Sequence, residues 1–366
     1  MKNKGIWRKV LLLTGVIVLV LIVFIIAVTG FKKEDKVSVG FIMTGSMKEE
    51  GWNRLHYEGI YKVCEELDVE LLVKENVLEN TGQCEQAIHE LAQEKADMII
   101  LSSYGYAQEV LDVVKEYPKI AFYSESFDHV APNMKSYFAR MYQARYLSGI
   151  IAGMQTEKNI VGYVAAMPNN EVNRGINAFT MGVRRVNPKA QVIVAWSNSW
   201  DDSETEKNLA RQLIENRNVD VITYHQNQPN VVEVAEEYNI ASIGYHEAPP
   251  DVSEHFLTAA IFHWDLTYKE VLLDFIRGKS DAVNTYWVGV ERGAIGLSEY
   301  SSKVSQEAIA EVERAIEEMK NGFDVFSGEI YDKEGIRRCR DGETISDDNL
   351  LKKMDWYVEG VEFYEN

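Results

Sequence analysis

From residue 37 onward, short apolar runs alternate with amphipathic stretches. VSVGFIM (37–43) has strand length, and helical periodicity follows over 52–66. VELLVKENV leads to a helix near 80–95, opened by Thr81 and Gly82, and DMIILSS (97–103) to one at 107–117. KIAFYSE (119–125) is the next strand, then MKSYFA and a long helix over 140–156. The rhythm restarts with NIVGYVAA (159–166), a helix at 170–186, QVIVAWS (191–197), a helix at 203–216, VDVITYH (219–225), a helix at 229–238 and ASIGYH (241–246). Apolar strands of this length separated by helices predict an α/β protein with parallel sheets and right-handed crossovers. Two such runs, broken near 140, predict two doubly wound lobes. HFLTAAIF (255–262), with a helix over 266–277, reads as a segment returning to the first sheet. The expected division is lobe I at 37–140 plus about 256–300, and lobe II at 141–255 plus about 301–366. No low-complexity linker separates the halves, so several crossings, and therefore a hinge, are expected.

The first 36 residues break this pattern. After Lys2, Lys4, Arg8 and Lys9, residues 10–31 carry no charge. A run of that length spans a bilayer as a helix, whereas a cleavable signal has a shorter apolar core. A single membrane anchor is expected, its N-terminus inside and the lobes outside. The alternative is a long signal peptide cut near Ala27. No cysteine lies near the end of the run to carry a lipid.

Charge sharpens the picture. The chain carries −19 overall but +5 within residues 1–36, leaving −24 for the rest. Such a surface repels phosphate backbones, which excludes nucleic acid as a partner. Three cysteines, Cys64, Cys84 and Cys339, have no metal-ligand spacing and read as small buried hydrophobes; a Cys64–Cys84 bridge is the alternative.

In parallel α/β sheets, ligands bind beyond the carboxyl ends of strands. The segments there hold Trp52, Tyr104, Tyr106, Phe138, Trp196, Trp200, Tyr245 and Trp264, with the amides Asn53, Asn169, Asn198, Gln226 and Asn227. Rings that stack and amides that donate and accept suit a flat, neutral, heteroatom-rich molecule such as a nucleobase. Ordinary core packing is the competing explanation. Trp52, Asn53 and Tyr104 are the first-lobe candidates, Trp200, Asn227 and Tyr245 the second-lobe ones, and Trp264 lies near a crossover. Glu171 either contacts ligand or caps its helix.

Other chemistries fit less well. TGSMKEEG after the first strand is neither a Walker loop nor GxGxxG. His225, His246 and His263 all follow strands but are far apart, and read as pocket hydrogen-bonders rather than metal ligands. GxSxG is absent, and WDDSETE (200–206) reads as a helix N-terminus favoured by the dipole. An enzyme is not expected, and no cofactor or metal is implied.

GYVAAMPNNEVNRGINAFTMGVRRVNP (162–188), SNSWDD (197–202), ASIGYH and MDWYVEGV (354–361) together resemble the basic membrane protein (BMP) family of ABC-transporter substrate-binding proteins. The resemblance covers nearly all of 37–362 and points to its purine branch. It implies the type I periplasmic-binding fold and a ring after the first strand, here Trp52, that stacks on the base. Departures from the family are SMKEE in the first loop, leaving only Glu49 and Glu50 as nearby acids, Phe138 in place of an amide, and Gln226 and Asn227 in place of an acid. These favour a neutral base over a nucleoside. The expected role is an extracytoplasmic receptor at the cell membrane, closing on a purine-like ligand and delivering it to an ABC permease. A tethered sensor of the same fold, reporting to a signalling partner, is the alternative.

Overall fold

The computed structural model of the protein describes residues 36–49, 51–127, 129–279 and 285–365. The apolar run 10–31 and Glu50 lie outside them. Among the described residues, no helix is long and apolar enough to cross a membrane.

The first half comprises β1 (Ser38–Ile42), α1 (Trp52–Leu67), β2 (Glu70–Lys74), α2 (Gln83–Gln93), β3 (Met98–Leu101), α3 (Tyr106–Glu109), α4 (Val113–Glu116), β4 (Ala121–Ser124) and β5 (Met134–Ala139). The helix expected over 107–117 is thus two short turns, broken around Val110 and Asp112, residue types with poor helix propensity. After β5 come α5 (Met141–Gln155), β6 (Ile160–Ala165), α6 (Asn170–Val186), β7 (Gln191–Trp196), α7 (Ser203–Arg217), β8 (Val221–His225), α8 (Asn230–Tyr238), β9 (Ala241–His246) and β10 (Phe256–Phe262). The chain closes with α9 (Trp264–Ile276), β11 (Thr285–Val288), β12 (Ile295–Leu297), α10 (Gln306–Lys320), β13 (Ile330–Tyr331), β14 (Arg337–Cys339), α11 (Asp347–Lys352) and β15 (Val361–Phe363).

Two parallel sheets result. The first has strand order β11-β5-β4-β3-β1-β2, the second β12-β10-β9-β8-β6-β7-β15, with only the β10–β12 pair antiparallel. β1, β3 and β8 are buried along their whole length because helices cover both faces. The three cysteines are free and buried, so Cys64 and Cys84 form no bridge.

The segment 255–262 does not return to the first sheet. β10 pairs in parallel with β9 in the second, and β11 is the strand that crosses back, beside β5. Lobe I therefore regains only the stretch containing α9 and β11; α9 packs on α1 and β5. Apolar content alone could not choose between two buried sheets, since both accept the same side chains.

The chain crosses between lobes three times: at Arg140, at His263, and between Val288 and Ile295. The crossings are stitched together. Arg140 N–H donates to Val288 O at 2.7 Å, and His263 N–H to Ala294 O at 2.8 Å. Within lobe II, α5 and α6 touch backbone to backbone. A Cβ on Gly149 would lie 2.1 Å from Phe179 O, and one on Gly182 2.0 Å from Tyr146 O, so only glycine permits this approach.

The C-terminal segment is clipped to α6. Asn170, Asn173, Arg174 and Asn177 share one helical face. Asn173 and Arg174 donate to Met354 O and Leu350 O, both at 2.8 Å; Asn177 donates to Trp356 O and accepts from Val358 N–H, both at 2.9 Å. β15 then adds to the edge of β7.

Candidate functional site

Each sheet has a switch point, where the chain goes first to one neighbour of its opening strand and then to the other. The carboxyl ends beside β1 and β3, and beside β6 and β8, are where ligand clefts form. The two ends meet between the lobes, and Trp52 stands at the junction.

Trp52 is the first residue of α1. Gly51 before it has φ +85, ψ −139, a glycine conformation. A Cβ there would also lie 2.8 Å from Asn227 O of the other lobe. The Trp52 indole N–H donates to Ser102 O at 3.0 Å, fixing the ring over the switch point of lobe I. Its ring centroid lies 4.2 Å from His56, 6.4 Å from Phe138 and 5.5 Å from Trp264, and across the cleft 5.4 Å from His246 and 6.0 Å from Phe262.

Beneath these rings lies a buried polar chain. His56 Nδ1 is hydrogen-bonded to the Tyr268 hydroxyl, and its Nε2 is 3.4 Å from Glu125 Oε1. The same Glu125 oxygen accepts from Tyr137 at 3.2 Å. Burial holds His56 well below the imidazole range, helped by His246; burial raises Glu125 well above the carboxylate range, helped by Glu171. Burial thus disfavours the charged form of both partners.

Lobe II answers with His225, whose ring is 4.2 Å from Tyr245 and 5.9 Å from Trp200. Its Nδ1 lies 3.2 Å from the Tyr163 hydroxyl and its Nε2 3.8 Å from Glu171 Oε1. Burial lowers its pKa; Glu171 opposes this, and Arg145 and Arg174 reinforce it. Arg145 is fully buried under the floor, 4.7 Å from the Tyr163 ring, 5.1 Å from Phe179 and 5.4 Å from Tyr245. Ring faces, rather than a carboxylate, stabilise this charge.

At the mouth, Glu247 ties the lobes: it accepts from Gly51 N–H at 3.0 Å and pairs with Arg54.

The candidate residues fare differently. Trp52, Phe138, Tyr245 and Trp264 fall in the ring cluster, and Trp200 joins it through His225. Asn53 accepts from Thr44 at 3.2 Å and donates to Glu49, bracing its own loop. Gln226 accepts from His225 N–H at 3.2 Å and reaches Ser197 at 3.4 Å. Asn227 N–H donates to Trp200 O at 3.0 Å. Tyr104, on the turn after β3, is 53% exposed. Glu171 does not cap α6; the Asn169 side chain does, accepting from Val172 N–H.

His56, Glu125, Phe262 and Arg145 are positions of the candidate site that sequence reading missed. His56 lies one helical turn after Trp52 on the same face, and Glu125 ends the fourth strand run, so both had a signal. Arg145 had none, being one charge within a long apolar helix.

Geometrically the site is a bridge of rings with buried polar groups behind it, suited to holding a flat molecule by stacking and edge hydrogen bonds. Residues 36–326 match the family described as ABC transporter substrate-binding protein, PnrA-like. A purine-binding protein of Brucella abortus is 32% identical over 90% of this chain and 94% of its own. A putative ABC transporter glucose-binding protein of Haloferax volcanii is also 32% identical, over 91% and 82%. Among solved structures, a transcriptional activator of the comK gene from Bacillus halodurans superposes with a TM-score of 0.68 at 23% identity, covering 78% of this chain and 98% of that one.

Proposed function

The chain belongs to the PnrA-like family of ABC transporter substrate-binding proteins, and we propose that within it this protein is a receptor for a purine base. Two relatives of equal identity carry names with different ligands, a purine and glucose, so the residues of the cleft must discriminate. The observation that carries the purine reading is the ring cluster around Trp52, drawn from both lobes. A sugar offers one or two apolar patches and many hydroxyls, which need free carboxylates and amides. Here the loop carboxylates hold their own loops: Glu75 accepts from Ser46 and Met47, Glu79 from Gly105 and Ser103, and Glu247 joins the lobes.

In this reading, ligand stacks on Trp52, with Phe138, Trp264 and Tyr245 walling the site. Contacts to both lobes stabilise the closed form, so binding is a population shift about the three crossings. The closed receptor then presents the base to an ABC permease. The apolar run 10–31 tethers it to the membrane with its lobes outside, which raises its concentration near that partner.

The test is calorimetry and thermal shift on the full-length protein with adenine, guanine, hypoxanthine, their nucleosides, glucose and other sugars. A purine alone should raise the melting temperature, since ligand that binds only the native state stabilises by mass action. Response to glucose alone overturns the purine reading. A gene neighbourhood holding a signalling kinase and no permease would favour the tethered sensor instead.

A further inference from the structure

We propose that His246 is the residue of lobe II that reads the polar edge of the bound ring, acting together with the indole N–H of Trp264. The ligand class this implies is a planar, uncharged heteroaromatic base whose edges offer a hydrogen-bond acceptor to Trp264 and a donor or acceptor to an imidazole. The assignment rests on the reading of the cleft as a base site and adds the residues that decide which base enters.

Three observations converge on His246. It is the last residue of β9, at the ligand end of the sheet, and only 4% exposed. Among the described residues, neither of its ring nitrogens meets a hydrogen-bond partner, and neither does Trp264 Nε1. Buried polar groups are normally paired, so the unmatched nitrogens that His246 and Trp264 carry, one residue from each lobe, call for a function. The backbone adds the second observation. His246 has φ +72, and among the described non-glycine residues with left-handed backbone it alone is buried. Such strain persists where the surroundings enforce it, and it gathers at ligand sites.

The third is the arrangement of rings. Trp264 stacks on Phe262 at 4.5 Å and 12°, and Phe262 on His246 at 5.8 Å and 22°. The three planes form a near-parallel column running from lobe I to lobe II. Trp52 meets every member of it edgewise, at 81°, 89° and 69°. A flat ligand lying along the Trp52 ring therefore turns its edges toward the column, whose two end members carry the unmatched nitrogens.

The charge state fits this task. Burial, His225 and Arg145 hold His246 well below the imidazole range, and the Gln226 backbone opposes them. A neutral imidazole offers one donor and one acceptor, and so discriminates the heteroatom pattern of an edge rather than its net charge.

The experiment is calorimetry on the full-length protein with adenine, guanine, hypoxanthine and their single-nitrogen-deleted deaza analogues, for wild type, His246→Gly and His246→Asn, with the melting temperature of each unliganded variant. Glycine and asparagine both suit a left-handed backbone, so both variants should fold. Expected for His246→Gly are an unliganded melting temperature at or above wild type and affinity for the preferred base about ten- to a hundredfold weaker. The analogue lacking the nitrogen that His246 reads should bind wild type and His246→Gly equally weakly, and His246→Asn should recover part of the discrimination. A His246→Gly variant that binds the preferred base within about twofold of wild type, or that loses all analogues equally together with its melting temperature, overturns the assignment while leaving the purine reading intact. Wild type that binds no base overturns both.

Discussion

Arg140 and Asp347 form a two-pronged ion pair, Nη1 to Oδ1 at 2.9 Å and Nη2 to Oδ2 at 2.5 Å, joining a lobe crossing to the C-terminal segment. Arg140 also donates through Nε to Trp287 O at 3.0 Å, and its guanidinium lies 4.2 Å from the Trp287 ring. One side chain thus links two of the three crossings, and α11 holds it from behind. Since α6 clips the segment carrying α11 to lobe II, the pair is that lobe's grip on the hinge.

Asp347→Ala should therefore loosen the hinge more than it unfolds the protein. The carboxylate is half exposed, so the stability cost is at most about 1 kcal/mol. Small-angle scattering of the unliganded variant should show a larger radius of gyration than wild type. An unchanged radius would remove Asp347 from the hinge.

Gly51→Ala attacks closure from the cleft. The substitution meets both a left-handed backbone and Asn227 O across the gap. The backbone term costs about 1–3 kcal/mol, and the clash falls only on the closed form. Ligand affinity should drop by more than urea-measured stability does, and equal losses would mean the interlobe contact is not formed on closure.

Trp52→Ala should weaken purine binding by about 1–3 kcal/mol, the usual worth of an aromatic stacking platform for a base. It also leaves Ser102 O without its indole donor. Titration of the variant with the preferred base checks this, and unchanged affinity would place the ligand elsewhere.

Three cleft histidines, His56, His225 and His246, have pKa values depressed from 6.5, while Glu125 is raised from 4.5. A depressed histidine binds its proton only on unfolding, so its contribution is present above pH 6.5 and is lost as pH falls below it. The raised Glu125 acts in the opposite sense: its contribution is full below pH 4.5 and is lost as pH rises through the higher folded value. Through the window just below pH 6.5 the histidines outnumber it, and stability should fall with acidification by up to about 1.4 kcal/mol per pH unit for each net proton taken up on unfolding. Urea denaturation at pH 7.0, 6.0 and 5.5 measures the slope. His246→Asn should flatten it by close to one proton, and a slope that the substitution leaves untouched would mean His246 titrates normally.

Much of this was legible in the chain. The strand–helix rhythm gave parallel sheets because two-sided burial leaves a strand uniformly apolar, as in SVGFI of β1. The place of Trp52 at the junction of the lobes was legible because a large ring at a strand-to-helix junction lies at the carboxyl end of a parallel strand. The helix start at WDDSETE was legible because acidic residues complement a helix N-terminus, and Asp202 caps α7 there by accepting from Thr205 N–H.

What the sequence could not determine were relationships between residues far apart along it. It could not say which of two apolar sheets would take β10, because burial in either is worth the same and only the hydrogen-bonded neighbours decide. It marked Asn53 and Gln226 as polar residues near strand ends, but their partners Thr44, Glu49 and Ser197 are set by how the loops pack. It gave no sign that Glu125 and His56 would meet 69 positions apart in a buried site that disfavours both charges, since a pKa follows burial and neighbours rather than residue type. Periodicity and local chemistry thus determined that the strands are parallel and where they end, but not which sheet each one joins. The closed cleft, with Trp52 set against a column of rings from both lobes, exists only because tertiary packing brings those ends together.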